Sequence, residues 1–149
     1  MPEIRFYHLT KSSPKQALPQ LLEKTRERGK RALVKLPDEE AVRSWNEHLW
    51  SYRAGSFLPH GTHSDSDPQS QPIFLTQGEE NPGQGEYLFL IDGALSNNLQ
   101  AFELVALVFD AKEEAAVLQA RQQWKELRET GFTLTYWQQD EAGGWHKKA

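Results

Sequence analysis

Val117, Arg121, Trp124 and Arg128 recur at i, i+4, i+7 and i+11, a spacing that puts them along one face of a helix. Cation, aromatic and cation on one stripe suit a ligand that joins a carboxylate to an apolar group. The guanidinium fork pairs with carboxylate oxygens while the indole packs the apolar part. The same spacing also fits a core tryptophan flanked by two arginines that reach out to water. Spacing alone leaves both readings open.

A second aromatic stretch is WNEHLWSYRAGSFLPHG, residues 45 to 61. Up to Trp50 it has the pattern of an amphipathic helix. From Ser51 it is a loop that still carries Tyr52, Phe57, Leu58 and Pro59. Loops normally run over the surface, so these groups either cover the core or wall a pocket. Aromatic walls supply much binding area at low entropic cost, which makes Trp50 and Phe57 candidates for a binding site.

Other constellations are weaker. His60, His63 and Asp65 form a His-x-x-His-x-Asp set with good zinc ligands. They lie in a loop rich in Ser, Asp and Gly with no rigid element to fix their geometry, so solvated loop residues and no metal are expected. Lys24, Arg26, Arg28, Lys30, Arg31 and Lys35 make a basic run. Cations are favoured at a helix C-terminus, and a phosphate-backbone contact is the sharper alternative. No nucleophile elbow of the Gly-x-Ser-x-Gly type is present.

These residues need elements to position them. Glu3 to Leu9 reads as a first strand, followed by a helix from Pro14 to about Arg28 with Gly29 as its C′ residue. Pro19 implies a later start or a kink. Arg31 to Leu36 is a second strand. Asp38 caps a helix that runs to about Trp50. Ile73 to Thr76 and Tyr87 to Ile91 are buried strands, the second an apolar run that fits a central position. Leu99 to Glu103 is a short helix and Leu104 to Phe109 a further strand. Asp110 with Glu113 makes a capping box for a last helix ending at about Thr130 and Gly131, before a strand from Phe132 to Trp137. Strands alternating with helices predict a single three-layer α/β/α domain with a mainly parallel, Rossmann-like sheet.

That fold class invites a nucleotide reading. The Gly-x-Gly-x-x-Gly fingerprint should follow the first strand, yet the turn there is Thr10-Lys11-Ser12-Ser13-Pro14, without glycine. No bound cofactor is expected. The 149 residues carry a formal net charge of −4, which argues against tight, sequence-independent duplex binding. The absence of cysteine fits a reducing cytoplasm. MPEIRFYHLT has no signal-peptide core, and no apolar run reaches the length of a membrane span.

The opening IRFYHLT, the ALVKL strand after Gly-Lys-Arg, HLWSYRAGSFLPHG and the helix end RETGF together resemble the chi subunit of bacterial DNA polymerase III. The YWQQ and GGWHKKA ending is similar to the longer, alphaproteobacterial type, with residues 138–149 as a C-terminal extension of one domain. The resemblance implies a non-catalytic accessory subunit of the clamp loader. It implies binding of the acidic C-terminal tail of single-stranded DNA-binding protein, whose last residue is aromatic and bears the free carboxylate. It also implies a psi partner or another clamp-loader component, allows a repair helicase, and places the protein in the cytoplasm at replication forks. Carried over by position, the tail pocket falls on Trp50, Phe57, Arg121 and Trp124, with Arg128 beside them. That would join the two aromatic patches in one groove. Where some relatives have a lysine one turn before Arg121, this sequence has Val117; Arg128 or Lys125 is the compensating cation. Direct DNA binding through the basic run is the alternative function.

Overall fold

Continuous apolar runs such as YLFLI and LVALVF require cover on both faces, and the chain supplies it. The computed structural model describes residues 2–52, 58–65 and 67–149. In chain order the elements are β1 Glu3–Leu9, α1 Pro14–Glu27, β2 Ala32–Lys35, α2 Glu39–Ser51, β3 Ile73–Thr76, β4 Tyr87–Ile91, β5 Leu104–Asp110, α3 Glu114–Glu129, β6 Thr133–Gln139 and β7 Trp145–Lys147. The strands lie in the order β3-β2-β4-β5-β1-β6-β7, parallel except for β6 with β7. The expected α/β architecture with a mainly parallel sheet is the observed one.

Local chemistry sets each helix. Pro14 opens α1 behind Ser13, whose capping box pairs it with Gln16. Pro19 lies inside α1 and does not end it. A proline has no N–H, so the Lys15 carbonyl one turn earlier lacks its helical partner. His48 of α2 donates its Nε2–H to that carbonyl at 2.5 Å. The Asp38 side chain accepts from the Ala41 N–H at 2.8 Å and caps α2 as expected.

Three expectations are corrected. Asp110 does not cap the last helix. It ends β5, its carboxylate accepts the Lys112 N–H at 2.9 Å, and the N-cap position of α3 is Glu113 without a side-chain bond. The short helix from Leu99 is a single 3-10 turn, Leu99–Ala101. The polar ending contains β7, which pairs Trp145 with Gln139 and Lys147 with Trp137.

Two cores flank the sheet. One packs α1 and α2 on Tyr7, Leu9, Val34, Leu75 and their neighbours. The other packs α3 on Ile4, Phe6, Leu88 and Leu107. The handedness of crossovers assigns these faces. The α1 and α2 connections move one way across the sheet, from β1 to β2 to β3, while the α3 connection moves the other way, from β5 to β6. Right-handed crossovers in opposite directions put their helices on opposite faces.

Candidate functional site

One helix cannot cover the whole of its face of the sheet. Among α3 residues only Ala120 is fully buried. On the flank of the helix lies an open groove of about 400 Å3 lined by Val117, Arg121, Trp124, Lys125, Tyr136 and their neighbours. Trp124 belongs to the core and also borders the groove. It sets its edge on Phe6, with centroids 5.2 Å apart and planes at 71°, and on Tyr136 at 5.9 Å. It remains partly exposed along the groove. The core thus fixes the indole in one orientation, and the exposed part is a rigid apolar wall. Arg121 and Lys125, one turn apart, are exposed and pair with no carboxylate among the described residues. Unpaired cations beside a fixed aromatic are a ready receptor for an anion attached to an apolar group.

Beneath the groove His8 stacks on Phe109, with centroids 4.8 Å apart, and its Nδ1 accepts the Tyr136 hydroxyl at 2.7 Å. Burial, and then the Arg121 charge, hold the His8 imidazole below its ordinary pKa. Burial likewise raises Tyr136, against the pull of Arg121. The unfolded chain therefore takes up the His8 proton more readily. This contribution to stability is complete above a pH of about 6.5 and is lost as pH falls through the unfolded value towards the folded one. An NMR titration is expected to place the His8 midpoint below the ordinary histidine value. An anion seated on Arg121 is expected to move it up, because it cancels the smaller of the two causes. A midpoint at or above the ordinary value would contradict the burial described here.

The other candidate residues lie elsewhere. Arg128 sits in the last turn of α3, outside the groove lining, so Lys125 is the cation that accompanies Val117. Trp50 is on α2, hence on the opposite face of the sheet from Trp124. The two patches do not form one groove. Trp50 is 53% exposed and packs against the ring of His60, 4.2 Å between centroids. Phe57 lies outside the described residues. Lys125 is one of the two compensating cations named from the sequence, and it is the one that lines the groove; Tyr136 was missed, because placing it beside Trp124 needs the β1–β6 pairing.

His60, His63 and Asp65 each bond protein groups. His60 is buried and bonds backbone carbonyls of Leu58 and Asn46. His63 meets Glu39 at 2.6 Å, which raises its pKa, and Asp65 accepts the Thr62 N–H. Among the described residues no cluster of three ligating side chains forms. At the C-terminal ends of β4 and β5, where such folds hold nucleotides, the cavity of about 450 Å3 is lined by Asp92, Asp110 and Glu113. Three carboxylates there repel phosphate.

Residues 1–135 match the family described as "DNA polymerase III chi subunit, HolC". The chain belongs to the chi family. It is 29% identical over 91 residues to a probable DNA polymerase III subunit chi of Rickettsia prowazekii, covering 61% of this chain and 55% of that protein. It is 25% identical over 108 residues to the DNA polymerase III subunit chi of Haemophilus influenzae, covering 72% and 74% of the two. The chain thus spans about half the length of the Rickettsia chi protein that it matches. The chi match ends inside β6, so the rest of β6 and all of β7 lie beyond it. No helix among the described residues is long and apolar enough to cross a membrane.

Proposed function

We propose that the chain is a non-catalytic accessory subunit linking the clamp loader to single-stranded DNA-binding protein, in the cytoplasm at replication forks. The α3 groove holds the acidic tail of that protein. The carrying observation is the pairing of uncommitted Arg121 with the half-buried wall of Trp124. The terminal aromatic side chain of the tail packs on Trp124 and Tyr136, and its α-carboxylate pairs with Arg121. Lys125 faces the acidic residues that precede it. Psi or another clamp-loader component is the second partner, a repair helicase a further one. The exposed Trp50, on the other face, is offered to that second partner.

The test is titration with a fluorescent acidic peptide ending Asp-Ile-Pro-Phe. A contact this small supports roughly micromolar affinity. Amidation of the terminal carboxylate is expected to weaken binding at least tenfold, and added salt to weaken it further. Trp50→Ala is expected to leave it unchanged, because that side chain is on the far face. Absence of saturable binding at low salt would refute the tail-binding role.

A further inference from the structure

Seven strands are wide for two helices. On the α1 and α2 face, α2 lies against β3 and α1 against β5. Beyond them, over β1, β6 and β7, the cover is aromatic. Trp145 of β7 sets its edge on Tyr7, with centroids 4.9 Å apart and planes at 67°. The Arg5 guanidinium lies over Trp137 of β6, 5.7 Å from the ring centroid. Between these rings and the C-terminal half of α1 is a cavity of about 220 Å3, with Tyr7 and Phe89 buried in it and Lys24 and Arg28 exposed at its edge.

The charges at this cavity are one-sided. No carboxylate lines it, on a chain whose net charge is −4. Arg5 is neutralised by Glu3 at 2.9 Å. Lys24 and Arg28 pair with no carboxylate among the described residues and stand one helical turn apart. Arg26 is exposed and does not line the cavity, and the three remaining members of the basic run are committed. Lys30 bridges Glu86 and Glu103, Lys35 pairs with Glu79, and the Arg31 guanidinium donates to the carbonyls of Gly83, Gln69 and Gln71. The C-terminus of α1 favours Lys24 and Arg28, and no ion pair among the described residues occupies them.

The volume is below the roughly 300–1,000 Å3 of sites for drug-sized molecules, so it takes one planar ring and not a dinucleotide. Aromatic walls with a short row of cations are what single nucleic-acid strands require, since bases stack on rings while phosphates pair with the cations. A duplex keeps its bases hidden and cannot use the rings. An acidic peptide would use the cations but could offer the rings only its single terminal aromatic side chain. We propose that this cavity, closed by the β6–β7 hairpin, binds one nucleotide of a single nucleic-acid strand, its base against Trp145 and Trp137 and its flanking phosphates on Lys24 and Arg28.

The test is fluorescence anisotropy of a labelled twelve-residue oligothymidylate with the full chain at low salt. Saturable binding is expected, with a log–log salt slope of about −1.4 for two neutralised phosphates. Lys24→Glu with Arg28→Glu, both exposed, is expected to weaken it at least tenfold. Trp145→Ala is expected to weaken it severalfold and Trp145→Phe to restore most of the loss, with circular dichroism checking the fold. Arg121→Ala, on the opposite face, is expected to change nothing, which separates this site from the tail groove. The proposal is overturned by no binding, by a charge-reversed chain that binds within twofold of the original, or by equal loss in Arg121→Ala. It is equally overturned if an abasic strand or the matching duplex binds as well. Tighter binding of thymidine monophosphate than of the strand would overturn it in favour of a free nucleotide. Displacement of the strand by the acidic peptide even in Arg121→Ala would overturn it in favour of a peptide site.

Discussion

Trp45→Ala is expected to lower stability by about 3–5 kcal/mol, the usual cost of emptying a core site of an aromatic side chain. Trp45 is 1% exposed and is among the largest fully buried side chains on its face of the sheet. It does three things there. It fills the space between α2 and the sheet. Its Nε1–H donates to Asp92 at 3.1 Å, tying α2 to the turn after β4. Its ring takes the Lys15 ammonium of α1 at 4.4 Å from the centroid. The Asp92 bond also steadies a backbone at φ +54, followed by Gly93 at +84, a left-handed pair that turns the chain sharply after the strand. Typical domains are stable by about 5–15 kcal/mol, so the loss would take roughly a fifth or more of the total. In a thermal melt that is roughly 10–20 °C. Trp45→Phe keeps the bulk and loses the N–H, so it should retain more than half of the contribution. A loss below about 1 kcal/mol for the alanine variant would contradict the packing of α2.

Arg121→Ala is expected to behave in the opposite way, with binding lost and folding kept. The guanidinium is exposed and makes no ion pair among the described residues, so its removal leaves no buried group unsatisfied. In the proposed complex it makes a charge-assisted bond with a terminal carboxylate, worth about 1.5–3 kcal/mol. That corresponds to roughly a ten- to hundredfold rise in Kd for the acidic peptide. The melting temperature should stay within about 2 °C of the original, as for surface substitutions generally. The amidated peptide should show little difference between the two proteins, because the carboxylate that Arg121 would hold is absent. An Arg121→Ala chain that binds the free peptide as tightly as the original would place the tail elsewhere.

The strands were readable from the sequence because burial wrote them as apolar runs. Tyr87 to Ile91 is the observed β4, residue for residue, since a strand covered on both faces allows no polar interruption. Gly131 follows the end of the last helix as expected, and its φ of +88 is one that glycine adopts without strain. Readings failed where the deciding partner was distant in sequence. Asp110 has the form of a cap, yet β1 recruits it into the sheet opposite Leu9, one residue beyond the predicted strand. The last strand was hidden because Trp145, His146 and Lys147 have no periodicity of their own, and only pairing with β6 makes them a strand. The site divided in the same way. Val117, Arg121 and Trp124 share one helix, and helical spacing was enough to align them. Joining Trp50 to them required the strand order, which sets the direction of each crossover and so the face of each helix.

The position of β1 has a consequence for how the chain is made. It is synthesised first, yet both of its sheet partners, β5 and β6, come from the last third of the sequence. Roughly 95 residues separate the end of β1 from the start of β5. At synthesis rates of about 5–20 residues per second, β1 waits roughly 5–20 s for its first neighbour. During that interval Ile4, Phe6 and Leu9, all buried in the finished fold, have no strand beside them, and both edges of β1 are open to pairing with other chains. A strand paired along both edges in the folded molecule is thus the most vulnerable one on the ribosome.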